Sequence, residues 1–125
     1  MMGLRVLVVD DSMMVRQQVG RALREAGFEV VDAKDGMDAL AKLADTKDFA
    51  IVVCDVNMPR MDGLEFLAVL RDDATINKIP VIMLTTEGQA DRIQRARSLG
   101  AKAWLLKPFK ADLMVQAVRK VTAAA

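Results

Sequence analysis

Phe49-Ala50-Ile51-Val52-Val53-Cys54-Asp55 is an apolar run that ends in one carboxylate, and the turn Val56-Asn57-Met58-Pro59-Arg60-Met61-Asp62-Gly63 follows it. Six consecutive apolar residues predict a strand buried on both faces, the kind found in parallel sheets covered by helices. Asp55 then stands at the carboxyl end of a central strand, where open α/β sheets keep their ligand sites. Taken alone, an aspartate after a strand is more often a turn or capping residue. The neighbouring segments change that balance.

Upstream, Leu4 to Val9 is a β-branched-rich run ending at Asp10-Asp11. Ser12 caps a helix to Ala26 with Val15, Val19, Ala22, Leu23 and Ala26 on one face, and Gly27 stops it. Phe28 to Ala33 predicts a second strand, and Asp35-Gly36 turns into a helix with Met37, Leu40, Ala41 and Ala44 inward, closed by Thr46-Lys47-Asp48. Downstream, Asp62-Gly63 opens a helix carrying Leu64, Leu67, Ala68 and Leu70, with Asp72 to Lys78 as its exit loop. Pro80 to Leu84 is a fourth strand, ending in Thr85-Thr86-Glu87. The helix Gln89 to Leu99 has a thin apolar face, Ala90, Ile93, Ala96 and Leu99, before Gly100. Ala103 to Leu106 is the fifth strand, ending in Lys107-Pro108, and Lys110 to Val121 the last helix, with Leu113, Met114, Ala117, Val118 and Val121 inward. Five βα units with short connections imply an α/β fold, one five-stranded parallel sheet with helices on both faces.

The 125 residues suit one domain, 1–125. Hydrophobic content of 53% with 28% charged residues is globular, and no apolar stretch has the length of a membrane span. Met1-Met2-Gly3-Leu4-Arg5 lacks a secretory pattern and the lone Cys54 lies in an apolar run, so a cytoplasmic protein is expected. A net charge of +1 without long one-sign blocks gives no reason to expect nucleic acid or membrane as partner. The absence of histidine excludes Ser/His/Asp and Cys/His catalysis and histidine metal sites.

Asp10-Asp11, Asp55, Thr85 and Lys107 each fall at the carboxyl end of a strand, so four strands deliver them to one crevice. Carboxylates about 5 Å apart repel by about 3 kcal/mol per pair at an effective dielectric near 20, so one stays protonated or a cation binds. An oxygen-only cluster suits Mg²⁺, which keeps waters and takes phosphate as a further ligand. Lys107 and Thr85 complement phosphate oxygens, and a carboxylate is the available nucleophile. Singly, Asp11, Ser12 and Thr85 read as caps and Lys107 as a surface lysine. Capping needs, however, do not call for a lysine at a strand end.

Asp10-Asp11-Ser12, Asp55-Val56-Asn57-Met58-Pro59 with Asp62-Gly63, Thr85-Thr86-Glu87 and Lys107-Pro108-Phe109 resemble the receiver domain of two-component response regulators of the chemotaxis CheY type, over Val6 to about Val121. The resemblance implies a flavodoxin-like doubly wound (βα)5 fold with strand order 2-1-3-4-5. It implies Asp55 as phosphoacceptor from a CheA-like histidine kinase or acetyl phosphate, and no enzymatic action beyond its own phosphorylation and dephosphorylation. Asp11 would hold Mg²⁺ directly, Asp10 through water, and the Asn57 backbone carbonyl would add a ligand alongside Asp55. Lys107 would pair with the phosphoryl group and Thr85 would move to bond it. Trp104 falls at the switch position, where most relatives carry tyrosine or phenylalanine. Asn57 and Glu87 match the pair that tunes dephosphorylation in chemotaxis members. A monomer with no output domain, signalling by docking through the 89–122 face to a flagellar motor switch protein, is the leading expectation. A phosphatase partner is also implied as an option.

Within the same family, a standalone phosphorelay intermediate, phosphate sink or non-chemotactic switch is the alternative. From another class, an aspartyl-phosphate phosphohydrolase uses a similar set, but carries a second Asp where this chain has Asn57. A flavodoxin-like electron carrier needs a phosphate loop after the first strand, where Asp10-Asp11 would repel it.

Overall fold

The computed structural model describes residues 3–46, 48–86 and 90–123. Strands and helices alternate: β1 (Arg5–Val9), α1 (Met13–Glu25), β2 (Glu29–Ala33), α2 (Gly36–Asp45), β3 (Ile51–Asp55), α3 (Gly63–Asp72), β4 (Val81–Thr85), α4 (Ala90–Ser98), β5 (Ala103–Leu106) and α5 (Ala111–Ala123). The strands form one parallel sheet in the order β2-β1-β3-β4-β5. This is the flavodoxin-like doubly wound arrangement expected, with β3 at its centre. Element ends move by a residue or two, and one shift matters: Thr85 is the last residue of β4, not the first beyond it. Among the described residues no helix is long and apolar enough to cross a membrane.

Alternation along each strand splits the core into two layers. Leu7, Val9, Val52, Cys54, Val81 and Met83 pack beneath α2, α3 and α4. Val6, Val8, Ile51, Val53, Ile82 and Leu84 pack beneath α1 and α5 with Val19, Leu23, Met114 and Val118. Both faces of β1, β3 and β4 are covered, which is why these strands read as continuous apolar runs.

Local chemistry fixes where helices start. Ser12 Oγ accepts the Val15 N–H at 3.2 Å and Asp35 Oδ1 accepts that of Asp38 at 2.8 Å. Asp62 and Glu65 form a reciprocal capping box. Gly27, at φ 98°, ends α1 in the left-handed region.

Three inward faces depart from expectation. On α2 the buried residues are Gly36, Ala39 and Leu43, whereas Met37 is 51% exposed and Ala41 and Ala44 face solvent. The Asp35 cap and a bond from the Gly36 N–H to the Met61 carbonyl at 3.3 Å set the helix rotation, and the bulk of Leu43 takes the seam. On α3, Phe66 is fully buried beside Leu67 and Leu70, while Leu64 and Ala68 lie at the margins. On α5, Met114 and Val118 are buried but Leu113 is 46% exposed, because the helix covers the sheet edge with a narrow stripe. The thin face of α4 holds: Ala96 is its one fully buried residue among those described.

Candidate functional site

Asp10 follows β1, Asp55 ends β3, Thr85 ends β4 and Lys107 follows β5, so all four meet at one edge of the sheet. One carboxylate oxygen each from Asp10, Asp11 and Asp55 lies within 4.8 Å of the others. Lys107 Nζ sits against the group, 2.8 Å from Asp10 Oδ2 and 3.3 Å from Asp55 Oδ1. Three carboxylates against one ammonium leave two negative charges, the charge a divalent cation neutralises.

Asp10 is fully buried, and each of its carboxylate oxygens is already engaged once. Its Oδ1 accepts the Ser12 N–H at 2.9 Å, Oδ2 accepts Lys107, and its carbonyl accepts Arg16 Nη1 at 2.7 Å. Asp11 stands exposed at the mouth. Burial, reinforced by the charge of Asp10, pushes the Asp55 carboxyl up to about 6, while the Lys107 ammonium and the Asn57 backbone N–H pull it back. Burial works against the Lys107 ammonium, yet its bond to Asp10 and the charge of Asp55 win, so it titrates above the usual lysine range. Both groups are ionised at neutral pH. Cys54, next to Asp55, is buried, its thiol donates to the Asp55 carbonyl at 3.3 Å, and burial pushes its pKa well up.

Thr85 is buried and its Oγ1 has no hydrogen-bond partner among the described residues. A buried orphan hydroxyl beside a charged crevice is a donor awaiting an acceptor. Its backbone carbonyl accepts the Lys107 N–H at 2.6 Å, joining the ends of β4 and β5. Asn57 is exposed. Trp104 lies outside the carboxylate group, half-buried against the α2–α4 layer, with the Arg97 guanidinium 4.6 Å above its ring. Glu87 lies outside the described residues.

Three residues without an expected part in the chemistry support the site. Gly63 lies so close to the Asp55 carbonyl and the Val56 backbone that a Cβ there has no room, and its N–H donates to the Val56 carbonyl at 2.8 Å. Arg60, at φ 66°, pairs with buried Asp35 at 2.7 Å and ties the loop after β3 to the start of α2. Arg16 bonds Asp32 as well as the Asp10 carbonyl. In the sequence Gly63 stands out only beside Asp62, as a helix start and in the motif set, and neither Arg60 nor Arg16 carries a signal of its partner.

A family model for the response regulator receiver domain matches residues 6–119. The chain belongs to that family. The receiver is 37% identical over 117 residues to Protein PilG of Pseudomonas aeruginosa, covering 94% of this chain and 86% of that one. It is 34% identical over 119 residues to the chemotaxis protein CheY1 of Helicobacter pylori, covering 94% and 96%. It matches the solved structure of the chemotaxis response regulator CheY4 of Vibrio cholerae with a TM-score of 0.88 at 39% identity, covering 95% of this chain and 98% of that one. The resemblance and the fold expected from it are therefore borne out. Receiver domains are phosphoacceptor signalling domains that take phosphate from histidine kinases and bind Mg²⁺ in an acidic pocket, not classical enzymes. The phosphohydrolase and electron-carrier readings are left without support.

Proposed function

We propose that this receiver accepts a phosphoryl group on Asp55 from a histidine kinase, in a Mg²⁺-dependent reaction, and signals by docking. The observation that carries the reading is the contact of Lys107 with both Asp10 and Asp55 inside a carboxylate group of divalent-cation charge. Asp10, Asp11, Asp55 and the Asn57 backbone carbonyl would hold Mg²⁺, which supplies charge neutralisation between carboxylate and phosphoryl oxygens.

An Asp55 oxygen attacks phosphorus, the new P–O bond forming as the P–N bond to the donor imidazole breaks; the released nitrogen takes its proton from water. With acetyl phosphate, acetate leaves with the electron pair. Lys107 is already at the Asp55 carboxylate and stands where it can meet a phosphoryl oxygen. Thr85, whose hydroxyl lacks a partner, gains one by moving toward the new group, and that movement shifts an existing equilibrium in the face beyond it. Trp104 takes the part of switch residue, and Asn57 with Glu87 that of tuning phosphate loss.

Acetyl phosphate and Mg²⁺ should give one phosphoryl adduct by intact-protein mass spectrometry, absent with chelator and in Asp55→Asn. An adduct retained in Asp55→Asn overturns the assignment.

Output is assigned to the 89–122 face and, given the likeness to CheY1 and CheY4, to a flagellar motor switch protein in the cytoplasm, with the receiver a monomer. Exposed Leu106 and Leu113 and the sparsely buried α4 support a docking role. The second reading, a non-chemotactic receiver acting as relay or phosphate sink, would use the same carboxylate group and lysine. Retention of the motor switch protein by the phosphorylated receiver alone supports the first; retention in neither state supports the second.

A further inference from the structure

The amino ends of β4 and β5, at the edge opposite Asp55, join the C-terminal half of α5 around an open groove of about 640 Å³. Its floor is apolar: Pro80, Ala103, Ala117 and Val121. Its rim is Lys78, Lys102 and Lys120, with no acid among the lining residues. All three lysines are exposed, and none of their ammonium groups has an ion-pair or hydrogen-bond partner among the described residues.

The rim is held in place by its backbone. Arg71 bonds the carbonyls of Asn77 and Ile79 on either side of Lys78, at 2.8 and 3.1 Å. The Lys102 N–H donates to the Val81 carbonyl at 2.9 Å, and Lys120 follows Ala117 by one helical turn. Three uncompensated like charges above an apolar floor, on a chain of net charge only +1, complement an anionic and partly apolar occupant. Free phosphate would leave the floor unused. A nucleic acid strand would find no aromatic ring among the lining residues to stack on. A membrane needs a protruding apolar face, and this one is recessed.

We propose that this groove docks an acidic peptide segment of a partner protein, one apolar side chain on the floor and its carboxylates on Lys78, Lys102 and Lys120. The groove is built from the strand ends remote from Asp55, so this docking is constant and unaffected by phosphorylation. It is a standing tether beside the gated face, and it does not depend on the function proposed above.

The test is an amide-shift titration of the full chain with a capped synthetic peptide in which leucines alternate with pairs of glutamates. Saturable shifts are expected at Lys102, Ala103, Ala117 and Val121, with the same Kd with and without acetyl phosphate. Affinity should fall at least fivefold in Lys102→Glu/Lys120→Glu, and in Lys102→Ala/Lys120→Ala if the reversed variant loses its native spectrum. Polyglutamate of equal charge should bind at least fivefold more weakly. Shifts that never saturate, that survive the lysine substitutions, that polyglutamate reproduces or that phosphorylation abolishes would overturn the proposal. So would tighter binding at these amides by inorganic phosphate or phosphatidylglycerol vesicles, or concentration-dependent shifts without peptide, which would assign the groove to a second copy.

Discussion

Asp55 ionises where its charge is disfavoured. Burial and Asp10 raise its pKa to about 6 from the 3.8 of an unhindered carboxyl. Between those values the folded chain holds a proton on Asp55 that the unfolded chain has lost, so this group's contribution to stability is greatest below about 4 and is lost as pH rises through about 6. In metal-free buffer Asp55→Asn should raise unfolding free energy by about 1–3 kcal/mol at pH 7.5, and the gain should vanish near pH 4. Urea unfolding at both pH values measures it; equal or lower stability at pH 7.5 contradicts the account. The orphan hydroxyl of Thr85 gives a parallel case. Thr85→Val keeps the shape and removes an unsatisfied buried group, so it should stabilise the unphosphorylated protein by about 1 kcal/mol. The same change should blunt any response of Trp104 fluorescence to acetyl phosphate, since the proposed movement loses its hydrogen bond. These strand-end residues were legible because neither capping nor packing asks for their combination. Arg60 was not, since its partner Asp35 is 25 residues distant.

Among elements, the joint between α3, the loop to β4 and the end of α4 depends on one side chain. Arg71 donates to the carbonyls of Leu99, Asn77, Ile79 and Gly100 at 2.8–3.1 Å. Four acceptors from two segments converge on one partly buried guanidinium of a third, and burial lowers its pKa. Arg71→Ala should cost about 2–4 kcal/mol, and Arg71→Lys should restore only part because an ammonium lacks the planar fork. Denaturant midpoints of the two variants test this; near-neutral Arg71→Ala rejects the clamp. Sequence could not show it, because backbone carbonyls carry no residue signature. The α2 face failed for a related reason. Its two possible apolar stripes lie one residue apart, and the choice is made by the Gly36 bond to Met61, a long-range contact. Where the local pattern was unique, as on α1 with its Ser12 cap and Gly27 stop, it held.

At the scale of the whole molecule, the sheet was readable because β1, β3 and β4 are covered on both sides and so carry almost nothing but apolar residues. The edge strands β2 and β5 are half-exposed, yet β5 begins and ends where expected and β2 starts one residue later, because Gly27 and Gly100 before them and Lys107-Pro108 after β5 punctuate the chain. The same burial gives the molecule's lone sulfhydryl an unexpected use. Cys54 sits in the central strand with none of its surface exposed, and its thiol is held in the unreactive form. An aromatic disulfide reagent can reach it only when the sheet itself parts. Labelling of the native protein should run slower than that of the denatured chain by about 10³ or more, faster in Arg71→Ala and slower in Asp55→Asn at pH 7.5. The reaction of a single native sulfur atom would thus serve as a chemical clock for the rarest excursion the protein makes, with no cysteine introduced.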